Sequence, residues 1–482
     1  MERSDRLVGM CTCCRRDFLQ VVSAAGAAAL VSVESAVAGG EVAPRPKKTA
    51  TVRGAFLYPP SKSLEKEGYW SWPGSGFDAE GHQRQYAARI AAIEKKLGMR
   101  IAMDRDPLDQ PESVARFVAE VNQSKPDGLL LIPFKKGHWE HVTRIIDQTK
   151  LPAVVLATLG VLLVDHINQL HRKPGAYLIN SLDDFEALEY GMKMVRTARW
   201  MKDARLVNIQ GTAAKTAVEP HLGTEVHTVP HQQFVEAFQR IAPEGEVLKL
   251  AKAYKENAKE IVEPTEADIL EAAKCYFALK KVLEDEKGDA LMMECLAGLR
   301  IPHKHVPPCM GFMSLRDQGI VAGCQADLSA TLTMMLVQQL FDRPGFQQNA
   351  SMNTEQNLYF GAHCTSPSKM NGVTSAPEPY ILRSHAEAGW GCVPRVLFPA
   401  GQEVTLAQYR PGKQPQMHVY SGKVVRCPNI PPAGGCRTNI EMTIHEVPDV
   451  CDVKGMHQII FYGNHARRLR AFCQLYGIPV VV

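Results

Sequence analysis

Two short apolar runs near the middle of the chain each end on one carboxylate. The first is Gly288-Asp289-Ala290-Leu291-Met292-Met293-Glu294-Cys295, and the second is Gly319-Ile320-Val321-Ala322-Gly323-Cys324-Gln325-Ala326-Asp327. A run of this length between turn signals reads as a buried strand. In open α/β sheets the carboxyl ends of the strands face the ligand crevice. Glu294 and Asp327 are then two acids delivered to one mouth, as paired acid–base chemistry requires.

Histidines in marked settings follow. His363 lies in Gly361-Ala362-His363-Cys364-Thr365-Ser366-Pro367, and His465 closes Phe461-Tyr462-Gly463-Asn464-His465 just before a helical run. Two carboxylates and one imidazole, completed by water or substrate hydroxyls, form an oxygen-rich shell that suits Mn²⁺ or Mg²⁺. Each residue also has a structural reading. Asp327 precedes a helix and suits an N-cap, Glu294 suits a salt-bridged surface acid, and a single histidine suits a satisfied structural group.

The elements that must position these residues follow from the pattern. Residues 1–38 read as a twin-arginine-type signal: Arg15-Arg16-Asp17-Phe18-Leu19, a mild apolar run from Val21 to Val33, and the small-residue site Ala36-Val37-Ala38. They imply export to a periplasmic compartment. Residues 39–50 read as a linker. From 51 to 172 strands and helices alternate as in a doubly wound α/β domain, with near-continuous apolar strands at 128–133 and 153–156. A second such domain spans 173–345, with a long helix from Glu266 to Glu286 feeding the Glu294 strand. From 346 to 482 short strand candidates at 396–398, 404–406, 417–420 and 440–444, separated by Gly and Pro, predict a β-rich, barrel-like C-terminal domain. A helix from Ala466 to Leu475 and a last strand at 478–482 close it. The predicted fold class is α/β: two doubly wound domains, then this β-rich one.

Composition narrows the function classes. The 482 residues carry 55 Lys and Arg against 51 Asp and Glu, a net charge of +4, with no basic stripe interleaved with aromatics. That argues against a nucleic-acid partner. No apolar run reaches the ~20 residues of a membrane span. The first βα turn, Tyr58-Pro59-Pro60, carries no GxGxxG, and no GxxxxGK[ST] occurs, so NAD and ATP are poorly supported. Of 13 cysteines, Cys11, Cys13 and Cys14 lie in the leader, and the other ten form no CxxC pair. Cys427 and Cys436 flank a Pro/Gly loop that a disulfide could close, and separate buried thiols fit equally well.

Together, Glu294 after its Asp-Ala-Leu-Met-Met strand, Asp327 followed by Leu-Ser-Ala-Thr-Leu-Thr-Met-Met-Leu, the His363-Cys364-Thr365 segment and Gly463-Asn464-His465 resemble the L-fucose/L-arabinose isomerase superfamily. The resemblance spans about 285 to 482 by motif, and the earlier part by architecture alone. It implies an aldose–ketose isomerase acting on a free sugar through an enediol, assembled as a homo-oligomer whose sugar pocket is partly built by a neighbouring subunit. It also implies Mn²⁺ on Glu294, Asp327 and His465, with Glu294 and Asp327 as the paired base and acid. His363, Thr365, Trp390 and Asn464 are the expected substrate-binding residues, with Trp72 a further stacking surface. The contrasting expectation is an exported sugar-binding protein without catalysis, which needs two α/β domains and a cleft but no metal.

Overall fold

The computed structural model describes residues 46–63, 73–300, 305–429 and 435–482. The twin-arginine segment, its three cysteines and Trp72 lie outside them. The described residues form one compact unit.

Three sheets organise that unit. The first has strand order β2-β1-β3-β4-β5, all parallel, with β1 Thr51–Leu57, β2 Arg100–Met103, β3 Gly128–Pro133, β4 Ala153–Thr158 and β5 Ala176–Ser181. Every residue of β3 is buried, as expected where helices cover both faces of a parallel sheet. The helices Ala79–Leu97 and Phe185–Asp203 start on Asp78 and Asp184, whose carboxylates accept from the Gly81 and Ala187 amides. These are ordinary N-caps. Because β5 pairs with β4, this first sheet runs past the boundary expected at residue 172.

The second sheet has the order β11-β10-β6-β8-β7: β6 Arg205–Ile209, β7 Lys215–Val218, β8 Glu225–Val229, β10 Ala290–Met293 and β11 Val321–Cys324. Its pairings are parallel except β7 with β8. The long helix Glu266–Asp285 begins on a Thr265/Asp268 capping box and leads into β10.

The C-terminal region is strand-rich. Its order is β16-β19-β12-β13-β18-β17-β20, with β12 Phe346–Asn353, β13 Leu358–His363, β16 Glu403–Arg410, β17 Gln416–Arg426, β18 Thr438–Ile444, β19 Gln458–Tyr462 and β20 Val480–Val481. β16 pairs with both β19 and β17, so the ladder returns to the strand it started from. A small sheet, β15-β14-β9, joins Val393–Val396 and Tyr380–Arg383 to Glu260–Ile261 of the preceding region.

These regions share one core. A single apolar cluster takes Phe56 and Leu130 from the first sheet, Leu206 and Met292 from the second, and Ile459 and Phe472 from the last. The closing helix Ala466–Leu475 lies against β5, where Gln474 accepts from the Gly175 amide and donates to Ala176 O. The stretch expected as a linker is docked where it is described: Lys47 pairs with Asp289 at 2.6 Å and Ala50 is buried. Among the described residues no helix is long and apolar enough to cross a membrane.

Candidate functional site

β10 and β11 lie side by side with Met293 opposite Cys324. Just past them the Ala326 amide donates to Met293 O at 2.9 Å. This ties the residue before Asp327 to the residue before Glu294, and sets the two acid-bearing turns together at the carboxyl edge of the sheet. Gln325 and Ala326 reach that geometry with φ of 58° and 50°. Such left-handed values are uncommon for residues other than glycine. Gly323 lets the following helix, Leu328–Phe341, lie on the strand, since a Cβ there would fall 2.0 Å from Thr331 Oγ1.

Asp327 has two jobs. Its Oδ1 accepts from the Ala330 amide at 2.7 Å as the N-cap of that helix. Its Oδ2 accepts from His457 Nδ1–H at 2.7 Å. A carboxylate only accepts, so His457 in its neutral form keeps Nε2 as a lone-pair donor. Glu294 is half-buried; its amide donates to Ile209 O at 3.0 Å, and its carboxylate makes no hydrogen bond or ion pair among the described residues.

The histidine expected beside the acids was His465, and the structure puts it elsewhere. Its ring stacks on Phe341 at 4.5 Å and on Phe461 at 5.9 Å. Phe341 ends the helix that Asp327 begins, and 14 residues at ~1.5 Å each separate the two ends by about 20 Å. The reason is strand direction. β19 runs antiparallel between β12 and β16, so its first end, carrying His457, meets Asp327, while its far end carries Asn464 and His465. Asn464 is exposed in that far turn, so it too lies away from the acids.

Burial, helped by Arg343 and Arg468, pulls the His465 pKa down to about 4. Its stability contribution is present above the unfolded-state value of ~6.5 and is lost as pH falls through about 4. In the His465→Phe variant the stability slope between those pH values should flatten by about 1–2 kcal/mol, once partial solvent screening is allowed for. Urea unfolding at a series of pH values measures this, and parallel profiles for variant and parent would refute it.

The remaining expected substrate contacts divide. His363 ends β13, is fully buried, and its ring centroid lies 5.7 Å from that of His457. It therefore belongs to the neighbourhood of the acids. The Thr365 hydroxyl donates to Cys309 O at 2.8 Å and is fully buried, which makes it a backbone fastener rather than a sugar ligand. Trp390 is half-buried in the turn after β14, and its carbonyl accepts from the His385 amide.

Sulfur, not oxygen, crowds this neighbourhood. Cys295 and Cys324 face each other with their sulfurs 3.3 Å apart. The Gln347 side chain accepts from the Cys324 amide and donates to the Cys324 carbonyl. Among the described residues, two sets of three side chains bring their ligand atoms within 4.8 Å of one another: Cys309, Cys364 and His385, and Cys324, His363 and Cys364. Thiols of Cys309, Cys324 and Cys436 donate towards Cys364 and hold its pKa well below the ordinary thiol value. Arg316 is buried beside them and burial pulls it down to about 10. All ten described cysteines are free; Cys436 sits against Cys364 and Cys427 accepts from the Phe398 amide, so the two do not pair.

Sequence reasoning missed His457 and this thiol cluster. His457 had a usable signal, a polar residue directly before the apolar run Ile459-Ile460-Phe461-Tyr462. The cysteines had none, because they come from four distant segments. A cleft lined by Asn122, Lys125, Arg199 and His221 opens elsewhere, near the amino ends of β3 and β4.

No protein-family model matches the chain, and no curated protein matches it.

Proposed function

We propose that this chain is a metal-dependent, aldose–ketose isomerase-like enzyme acting on a free sugar. The observation that carries the reading is the pair of acids at the carboxyl ends of adjacent parallel strands, one of them hydrogen-bonded to an imidazole. His457 takes the place that the resemblance assigned to His465.

The donor types suit a divalent cation, although among the described residues Glu294, Asp327 and His457 do not bring their ligand atoms within 4.8 Å of one another. The Glu294 carboxylate has no partner among the described residues, and the Asp327–His457 contact leaves Nε2 of a neutral imidazole available. A carboxylate that fixes the tautomer of a histidine is the usual partner of an imidazole ligand. Glu294 and Nε2 of His457 would hold Mn²⁺ or Mg²⁺, with Asp327 behind the imidazole; the ion when bound supplies electrostatic stabilisation to the sugar oxygens. Glu294 is the freer base and takes the proton from the carbon next to the carbonyl, returning it to the neighbouring carbon. Asp327 is committed to Ala330 and His457 and orients the imidazole.

The same reading takes the returning C-terminal ladder as a small barrel and the assembly as a homo-oligomer. It takes the leader as a twin-arginine signal for periplasmic export.

A panel of free pentoses and hexoses, assayed for ketose with Mn²⁺ or Mg²⁺, tests the proposal. One aldose should be converted, and a chelator should stop the conversion. Absence of ketose from every sugar overturns it, and sugar binding without turnover gives preference to the exported binding protein.

A further inference from the structure

Four segments that are far apart in sequence deliver cysteines to one buried place: Cys295 after β10, Cys324 at the end of β11, Cys309 at the start of helix Cys309–Asp317, and Cys364 directly after β13. All four are buried. Cys364 is the hub, since both three-ligand sets contain it.

The two sets differ in their imidazole. In the set with Cys309, His385 Nδ1 already accepts from the Ala388 amide at 3.2 Å, so ligation would cost that bond or change the tautomer. In the set with Cys324, His363 Nδ1 lies 3.5 Å from Cys364 Sγ. Its Nε2 is buried without a hydrogen-bond partner among the described residues. A fully buried imidazole with an unspent nitrogen is uncommon and calls for an explanation such as an ion.

Charge supplies a second, independent observation. Arg316 is buried, and its Nε and Nη2 both donate to Ala322 O, one residue before Gly323 and two before Cys324. Its Nη1 has no hydrogen-bond partner and it makes no ion pair with a carboxylate among the described residues. A buried cation needs a counter-charge, and the groups that face it are Cys324, Cys364 and Cys309, with Asp317 beyond.

We propose that Cys324, Cys364 and His363 bind one Zn²⁺ ion, and that the Cys295 thiol, 3.3 Å from Cys324 Sγ but outside that three-residue set, turns in as the fourth ligand. Three thiolates, one neutral imidazole, Zn²⁺ and the Arg316 guanidinium sum to zero charge, which removes the penalty of burying any of them alone. A set of three sulfurs and one imidazole nitrogen is a closed structural zinc shell, and soft thiolates select against Mg²⁺ and Mn²⁺. The site would lock the turns that carry Glu294 and Asp327 to the strand that ends at His363. It does not rest on the reaction proposed above.

The test uses the full chain without a histidine tag, purified under reducing conditions from zinc-supplemented medium and dialysed exhaustively. Elemental analysis should find about one zinc per chain, and X-ray absorption should show a sulfur shell at about 2.3 Å. Cys364→Ser and His363→Gln should lower retained zinc at least about tenfold, while His385→Gln, Glu294→Gln and Cys451→Ser retain it. Circular dichroism separates loss of the ligand from loss of the fold. For a variant that does not fold, cobalt titration of the metal-freed parent decides, through a thiolate-to-cobalt charge-transfer band. A zinc-free parent with no such band overturns the proposal. So does a shell of oxygen and nitrogen alone, or zinc that follows His385 rather than His363.

Discussion

In the Asp327→Asn variant, ketose formation should fall about 10- to 100-fold while the fold survives. Asparagine is as good an N-cap as aspartate, so its side-chain oxygen still accepts from the Ala330 amide. Helix Leu328–Phe341 therefore keeps its start, and the change in unfolding free energy should stay below about 1 kcal/mol. What disappears is the negative oxygen facing His457 Nδ1. The amide presents N–H there instead, and the imidazole must turn over or change tautomer. Asp327→Ala loses cap and partner together and should add about 1 kcal/mol of destabilisation to the same loss of activity. Ketose assays and urea unfolding on both variants make the check. If Asp327→Asn turns over as fast as the parent, Asp327 is a helix cap and nothing more.

In the Asp317→Ala variant, stability should fall by about 4 kcal/mol, the largest structural effect expected of a single side chain here. Asp317 ends helix Cys309–Asp317, where a negative charge opposes the helix dipole. Local propensity therefore does not explain it. Its Oδ1 accepts from the amides of Ser368 and Lys369 at 2.8 and 2.9 Å, and its Oδ2 accepts from Ser368 Oγ at 2.5 Å. These bonds fasten the segment after His363 to the helix that carries Cys309. Hydrogen bonds to a charged acceptor contribute about 1.5–3 kcal/mol each and are not additive, which sets the estimate. Asp317→Asn keeps part of the clamp and should lose about half as much. The midpoint of urea unfolding reads the difference, and an unchanged midpoint in Asp317→Ala would show that the clamp carries no load.

Several parts of the fold were legible because their signal is local. The helix Ala466–Leu475 lies where its apolar spacing put it, and β10 and β11 are the short apolar runs read from the sequence. The strands that lead to Glu294 and Asp327 lie parallel and in register, and each was read as a short apolar run. β12, β13 and β19 were less legible. Gln347, Gln348, His363 and Gln458 are buried in them, and a polar residue inside a strand breaks the alternation on which such reading depends. Which sheet a segment joins was not legible for a related reason. β5 joins the first sheet, and the last helix packs back on it, and neither pairing leaves a mark in its own segment.

Residue type and spacing alone determined that this chain builds parallel α/β sheets, that a strand-rich region follows them, and that two short apolar strands each lead to an acid. Only the tertiary structure decided which histidine meets those acids, because strand direction chooses between His457 and His465 and a strand reads the same from either end. It alone gathered Cys295, Cys309, Cys324 and Cys364 into one buried neighbourhood, with His363 beside Cys324 and Cys364. Contacts between residues so far apart are set by how sheets stack, and stacking is a property of the whole core rather than of any segment within it.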